Sequence, residues 1–211
     1  MPHYQSGAAE RELGQSLPIE LLDYVHHGRE ERNLEYKERL DWDRPQHRAK
    51  VVKAVLGMSN LRDGGVLVIG VRNDGTAAGL AQEEAKKFTQ DAVQAAVSKH
   101  AVPYAELTVT IGHHPEETSR WFAVIQIAPF EEVPVLCGKA GHGLRQGAMY
   151  TRGRRIFETS EVKGESEMRE ILDMAVVKGI RAFYRRVAAA GLDVSPSVGH
   201  RKLFEDQLEG L

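Results

Sequence analysis

The sequence predicts an α/β fold: a mixed β-sheet flanked by helices, with a long C-terminal helical segment. Three observations lead there. Between residues 17 and 128, segments with helical apolar spacing alternate with short strand-like ones. The run Val66-Leu67-Val68-Ile69-Gly70-Val71 is apolar on both faces, as a central strand must be. From residue 159 onward, Ile171, Leu172, Ala175, Val176, Ile180, Phe183 and Val187 recur near helical spacing.

Residues 1–17 are small and polar and contain glycine, so they read as a flexible arm ahead of a domain at 18–160. Ile19, Leu22 and Val25 then form an apolar stripe that stops at Gly28, a residue favoured just past a helix end. Residues 33–40 alternate as a strand does, with Leu34, Tyr36 and Glu38 on one face and Glu35, Lys37 and Arg39 on the other. Glu35 and Lys37 therefore share a face. A helix over 46–60 turns Ala49, Val52, Val55 and Leu56 inward and leaves Arg48, Lys50 and Lys53 off that stripe. Gly64-Gly65 ends it, the apolar strand follows, and Asn73-Asp74-Gly75 is a tight-turn signal for a hairpin returning through Ala77 to Leu80. One amphipathic helix over 81–100 has Ala85, Phe88, Val93 and Val97 for its inner face. Further strands are predicted at 107–112, 121–128 and 148–152. The C-terminal extension, 161–211, is a long helix with interruption points at Gly164 or Gly179, followed by a tail whose Leu203, Phe204 and Leu208 suffice for a short docking helix. The stripe on the long helix needs a cover, either its own sheet or a second subunit.

A chain of 211 residues has room for one ordinary domain with a sizeable core. With 42% hydrophobic and 27% charged residues it belongs with folded globular chains and not with disordered or fibrous ones. A formal net charge of -2 provides no global basic field, so any polyanion contact must come from a local patch. The single cysteine, Cys137, excludes an internal disulfide and a Cys-x2-Cys metal knuckle, which suits a reducing compartment. The N-terminus lacks the apolar stretch of a signal peptide, and no run approaches the ~20 apolar residues of a membrane span, so a cytoplasmic protein with no membrane partner is expected. Phosphate-loop and dinucleotide spacings are both missing around Gly64, Gly65 and Gly70, so no nucleotide or organic cofactor is expected. His26-His27 and His113-His114 have no accompanying metal-ligand spacing and read as exposed histidines.

Two clusters carry chemistry. Glu30, in a loop, and Glu35, on the strand after it, form a pair suited to share a divalent cation, because Mg2+ takes one or two carboxylates plus waters and phosphate oxygens. On spacing alone, solvated surface charges are the simpler reading. Arg145, Arg152, Arg154 and Arg155 follow one another with no intervening acid, and guanidinium forks suit phosphate oxygens. A solvated loop is the alternative there.

The order Glu30-x4-Glu35-Tyr36-Lys37, a helix, Ser59-Asn60, Gly64-Gly65, the Ile69-Gly70-Val71 strand, Asn73-Asp74-Gly75 and Tyr150-Thr151-Arg152-Gly153 resembles the core of Schlafen-type AlbA_2 domains, a nucleic-acid-binding family, from about residue 17 to 169. In that family an acidic pair in this arrangement, plus an aspartate after the Ile-Gly-Val strand, forms a metal-dependent ribonuclease centre. The resemblance therefore implies Glu30, Glu35 and Lys37 as catalytic residues, Lys37 stabilising the attacked phosphate. It implies Glu30, Glu35, Asn73 and Asp74 around Mg2+ or Mn2+; the third acid position departs from the family, holding Asn73 with Asp74 one residue later. Arg145, Arg152, Arg154 and Arg155 are the implied nucleic-acid contacts. The implied function is binding of RNA or DNA with metal-dependent nuclease activity, in regulation or anti-phage defence. A non-catalytic assembly module that binds a protein partner through its C-terminal helix is the alternative. Pairing of two single lobes through Ile171, Val176, Ile180 and Phe183 is the expected route to a homodimer with a shared basic groove.

Overall fold

The computed structural model describes residues 15–191. Most of the predicted N-terminal arm, and the tail with Leu203, Phe204 and Leu208, lie outside the described residues. In chain order the elements are α1 (Ile19–His26), β1 (Leu34–Lys37), α2 (Pro45–Ser59), β2 (Gly65–Ile69), α3 (Gln82–Ala85), α4 (Gln90–Ser98), β3 (Ala101–Val102), β4 (Leu107–His113), β5 (Trp121–Ile127), β6 (Leu136–Cys137), β7 (Tyr150–Arg152), β8 (Thr159–Glu161) and α5 (Glu165–Ala189). The main sheet is mixed, in the order β1-β2-β5-β4. β1 runs parallel to β2, with Glu35 opposite Leu67 and Lys37 opposite Ile69, and β5 is antiparallel to both of its neighbours. Two ribbons, β3–β6 and β7–β8, complete the architecture.

The period-two alternation of β2 sorts its side chains into two cores. Val66 and Val68 join Leu34, Tyr36, Phe122 and Val124 under α1, which contributes Leu21, Leu22 and Val25. Leu67 and Ile69 face the larger core with Ile125, α2, Phe88 and Val97. α2 is buried more widely than its predicted stripe, because Val51, Ala54, Gly57 and Met58 are also covered. The reason is the β7–β8 ribbon, whose Thr159 lies directly against Gly57. Asn60, just past α2, ties these layers together: its amide nitrogen donates to the carbonyls of Val135 (2.8 Å) and Tyr150 (2.9 Å), and its oxygen accepts from Val135 N (2.8 Å).

Several local expectations change. The helix predicted over 81–100 is two, since Thr89 Oγ1 accepts from Ala92 N at 3.2 Å and starts α4 afresh. Residues 159–161 are strand because they pair with β7, and α5 starts at Glu165 and runs unbroken through Gly179. The hairpin after β2 reduces to one bridge, Val71 with Ala77, before Leu80 crosses to Trp121. Leu17, assigned to the arm, is 3% exposed and donates to the His113 carbonyl at 3.0 Å. Gly112 leaves the room for that approach, since a Cβ there would meet Leu17 N at 2.8 Å. Along α5, Ile171, Met174 and Ala182 are buried, so Ile171 leaves the predicted outer stripe. Leu172, Val176, Val177, Ile180, Phe183 and Tyr184 remain exposed. Among the described residues, no helix is long and apolar enough to cross a membrane.

Candidate nucleic-acid interface

Glu30, Glu35, Lys37 and Arg152 meet at the edge strand β1. Glu35 points to the α2 side of the sheet and is 7% exposed. Its Oε1 lies 2.7 Å from Lys37 Nζ, so the shared face read from the alternation is real. Its Oε2 accepts from Arg152 Nη1. Arg152, on β7, is 0% exposed, and its remaining nitrogens donate to the carbonyls of Arg32 (2.8 Å), Glu31 (3.2 Å) and Leu34 (3.5 Å). Burial pushes this guanidinium below its ordinary value, opposed by the charges of Glu35 and Glu30. Arg32 reciprocates, donating to the Arg152 carbonyl at 2.9 Å and gripping both oxygens of Glu170 at 2.8 Å. Arg154 reaches the same carboxylate at 3.2 Å. Hydrogen bonds from Arg32 hold the Glu170 carboxyl below the usual range, with burial opposing them. The chain Lys37, Glu35, Arg152, Arg32, Glu170, Arg154 thus fastens β1, β7 and α5 to one another.

Glu30 has a different task. Its Oε1 accepts from Tyr36 N at 2.8 Å, while Glu31 and Leu34 exchange backbone bonds at 3.0 and 3.2 Å. The loop therefore occupies hydrogen-bonding positions of β1, a strand at the sheet edge. Across from it, Asp74 Oδ1 accepts from Thr76 N at 2.9 Å, and that backbone N–H holds the Asp74 carboxyl below its usual range. Gly75 adopts φ +85° and packs on the backbone of Gly28, which brings the turn beside the Glu30 loop; any Cβ would collide there. Asn73 is exposed on the same turn.

The oxygens of this donor set are partly committed within the chain. Both oxygens of Glu35 are engaged by cations, Glu30 and Asp74 each have an oxygen on a backbone N–H, and among the described residues no group of three or more His, Cys, Asp or Glu is placed to hold an ion.

The arginines also divide. The sequence reading puts Arg152 at the surface; its guanidinium is instead buried, 0% exposed, in the ion pair and backbone bonds just described, out of a phosphate's reach. Arg145 is exposed and paired with Glu161. Arg154 is exposed and held by Glu170, and Arg155 is exposed with no ion pair among the described residues. Arg32 and Glu170 escape a sequence reading because their contact spans 138 positions. Asn60 is visible there as part of the Ser59-Asn60 motif. The histidine pairs, which the sequence leaves unrelated, supply one member each to a contact in which His26 Nε2 lies 3.1 Å from His114 Nε2. Glu116 N donates to His114 Nδ1 at 3.2 Å, on the other ring nitrogen.

Comparison with known families gives a match to Schlafen, AlbA_2, over residues 30–155. Its limits are the loop acid Glu30 and the ribbon arginine Arg155. Among solved structures the chain is similar to the DIP2311 protein from Corynebacterium diphtheriae, at 12% identity and a TM-score of 0.47. The alignment covers 78% of this chain and 29% of that one, so this chain spans less than a third of that protein's length. No curated protein matches the sequence.

Proposed function

This chain belongs to the Schlafen AlbA_2 family, and from that premise we propose that it binds nucleic acid, RNA or DNA, through the exposed arginines of the β7–β8 ribbon and the loop before it. The observation that carries the reading is the division of labour within the arginine run. Arg152 anchors the ribbon inside the molecule through Glu35, and Arg154 and Arg155 stand outside on the loop that follows. With an overall charge of -2, such a local patch is where phosphate contact has to occur. Arg145 extends the patch, and its pairing with Glu161 is exposed enough for a phosphate to compete.

Glu30, Glu35 and Lys37 act in this proposal as scaffold and not as a cleavage centre: Glu35 is paired with both Lys37 and Arg152, and one oxygen of Glu30 accepts from Tyr36 N. Assembly is part of the proposal too. A second copy covers the exposed face of α5 at Leu172, Val176, Ile180 and Phe183, giving one particle with two ribbons.

Fluorescence anisotropy with labelled tRNA, single strands and duplexes across a salt series tests the binding. Arg154→Ala and Arg155→Ala should weaken affinity for every sequence and lower the salt slope by about one unit per lost phosphate contact on a duplex. Unchanged affinity and slope overturn the reading. Incubation with Mn2+ is expected to leave the nucleic acids intact; cleavage that Glu35→Gln abolishes would restore the catalytic role.

A further inference from the structure

The six-residue loop 153–158 closes the β7–β8 ribbon, and its composition is unusual for a turn. Turns favour Gly, Asn, Asp, Ser and Pro. After Gly153, however, this one reads Arg154-Arg155-Ile156-Phe157-Glu158. Ile156 is 74% exposed and Phe157 38% exposed, so neither is explained by the core. The loop is nonetheless held in place. Glu158 N donates to the Ile156 carbonyl at 2.8 Å, Arg154 is tied to Glu170, and the strand beneath is pinned by the buried Arg152.

We infer that this tip is a base-stacking wedge: Phe157 takes the face of an unpaired nucleobase, Ile156 fills the space beside it, and Arg154 and Arg155 hold the flanking phosphates. The inference rests on the nucleic-acid reading above and narrows it to single-stranded or locally unpaired substrates. In a duplex each base face is covered by its neighbours, so a side chain can stack only where the helix is open. An aromatic ring supplies a stacking platform that every base can use, whatever its sequence. The charges set an orientation. Both arginines precede the apolar pair and the acid Glu158 follows it, so phosphates are taken at Arg154 and Arg155 and the base at Phe157. An apolar pair beside arginines would also suit an anionic lipid surface; nucleic acid is favoured because the family match runs to Arg155, contiguous with the tip.

The test uses the full chain with Phe157→Ala, Phe157→Trp and the two arginine variants. Anisotropy is measured on a mixed-sequence single strand, the same sequence as a duplex, and a duplex with one bulged base. Phe157→Ala should weaken single-strand and bulge binding by roughly 5- to 150-fold, leave the intact duplex and the salt slope unchanged, and be rescued by Phe157→Trp. Trp42 and Trp121 are buried, so quenching of the new indole on adding single strand reports stacking directly. Wild-type binding with Phe157→Ala equal to it on all three substrates, or indole emission in Phe157→Trp that single strand does not quench, overturns the wedge and leaves the arginine-based reading standing. No binding by wild type overturns both. Retention on phosphatidylserine vesicles that depends on Phe157, with no effect on nucleic acid, assigns the tip to lipid instead and overturns the wedge.

Discussion

Arg152→Ala distinguishes an interior anchor from a phosphate ligand. The substitution removes a 0% exposed guanidinium bonded to Glu35 and to the carbonyls of Arg32, Glu31 and Leu34. Deleting one partner of a buried ion pair costs about 3–5 kcal/mol. The surroundings place this case near the lower bound. Glu35 keeps Lys37 at 2.7 Å, and the Glu31 and Leu34 carbonyls keep their mutual backbone bonds at 3.0 and 3.2 Å. Among these acceptors, the Arg32 carbonyl is the one left short of a donor. A loss of about 3 kcal/mol corresponds to a fall in Tm of roughly 6–12 °C for a chain of this size. Circular dichroism melting at neutral pH measures it. The double variant Glu35→Leu, Arg152→Met should recover part of the loss, because no buried charge is then left unpaired. An unchanged Tm in Arg152→Ala, together with lost nucleic-acid affinity, would refute the reasoning and return Arg152 to the binding surface.

The Glu170 carboxyl, depressed by Arg32, contributes stability above its ordinary value of 4.5 that is lost as pH falls through the lower folded-state value. Glu170→Gln should therefore flatten the acid limb of a Tm-against-pH curve, and an unaltered limb contradicts the linkage. For assembly, sedimentation at micromolar concentration should give a dimeric mass for the wild type and a monomeric one for Ile180→Glu with Phe183→Glu, with little change in Tm because both residues are exposed. A wild type that is monomeric throughout rules the second copy out.

Much of the scaffold is local and therefore visible in the sequence. The β2 run is apolar on both faces because it is buried on both, and the β1 alternation puts Glu35 and Lys37 together because successive side chains of any strand alternate. The Asn73-Asp74-Gly75 turn follows from a side-chain bond over two residues, Asp74 to Thr76. The break at Thr89 carried a signal too, an N-cap residue inside an otherwise continuous helical pattern. What the sequence left undecided depends on contacts between distant segments. Arg152 resembled its neighbours Arg154 and Arg155 until β7 came to rest over α2 and Glu35, 117 positions earlier, took its charge. Residues 159–161 became strand only because β7 lay alongside, and Ile171 and Val176 separated only when one side of α5 met the core. Burial is a property of the assembled layers: the same arginine is a phosphate ligand in water and a structural pin beneath them, and periodicity along the chain contains no term that distinguishes the two.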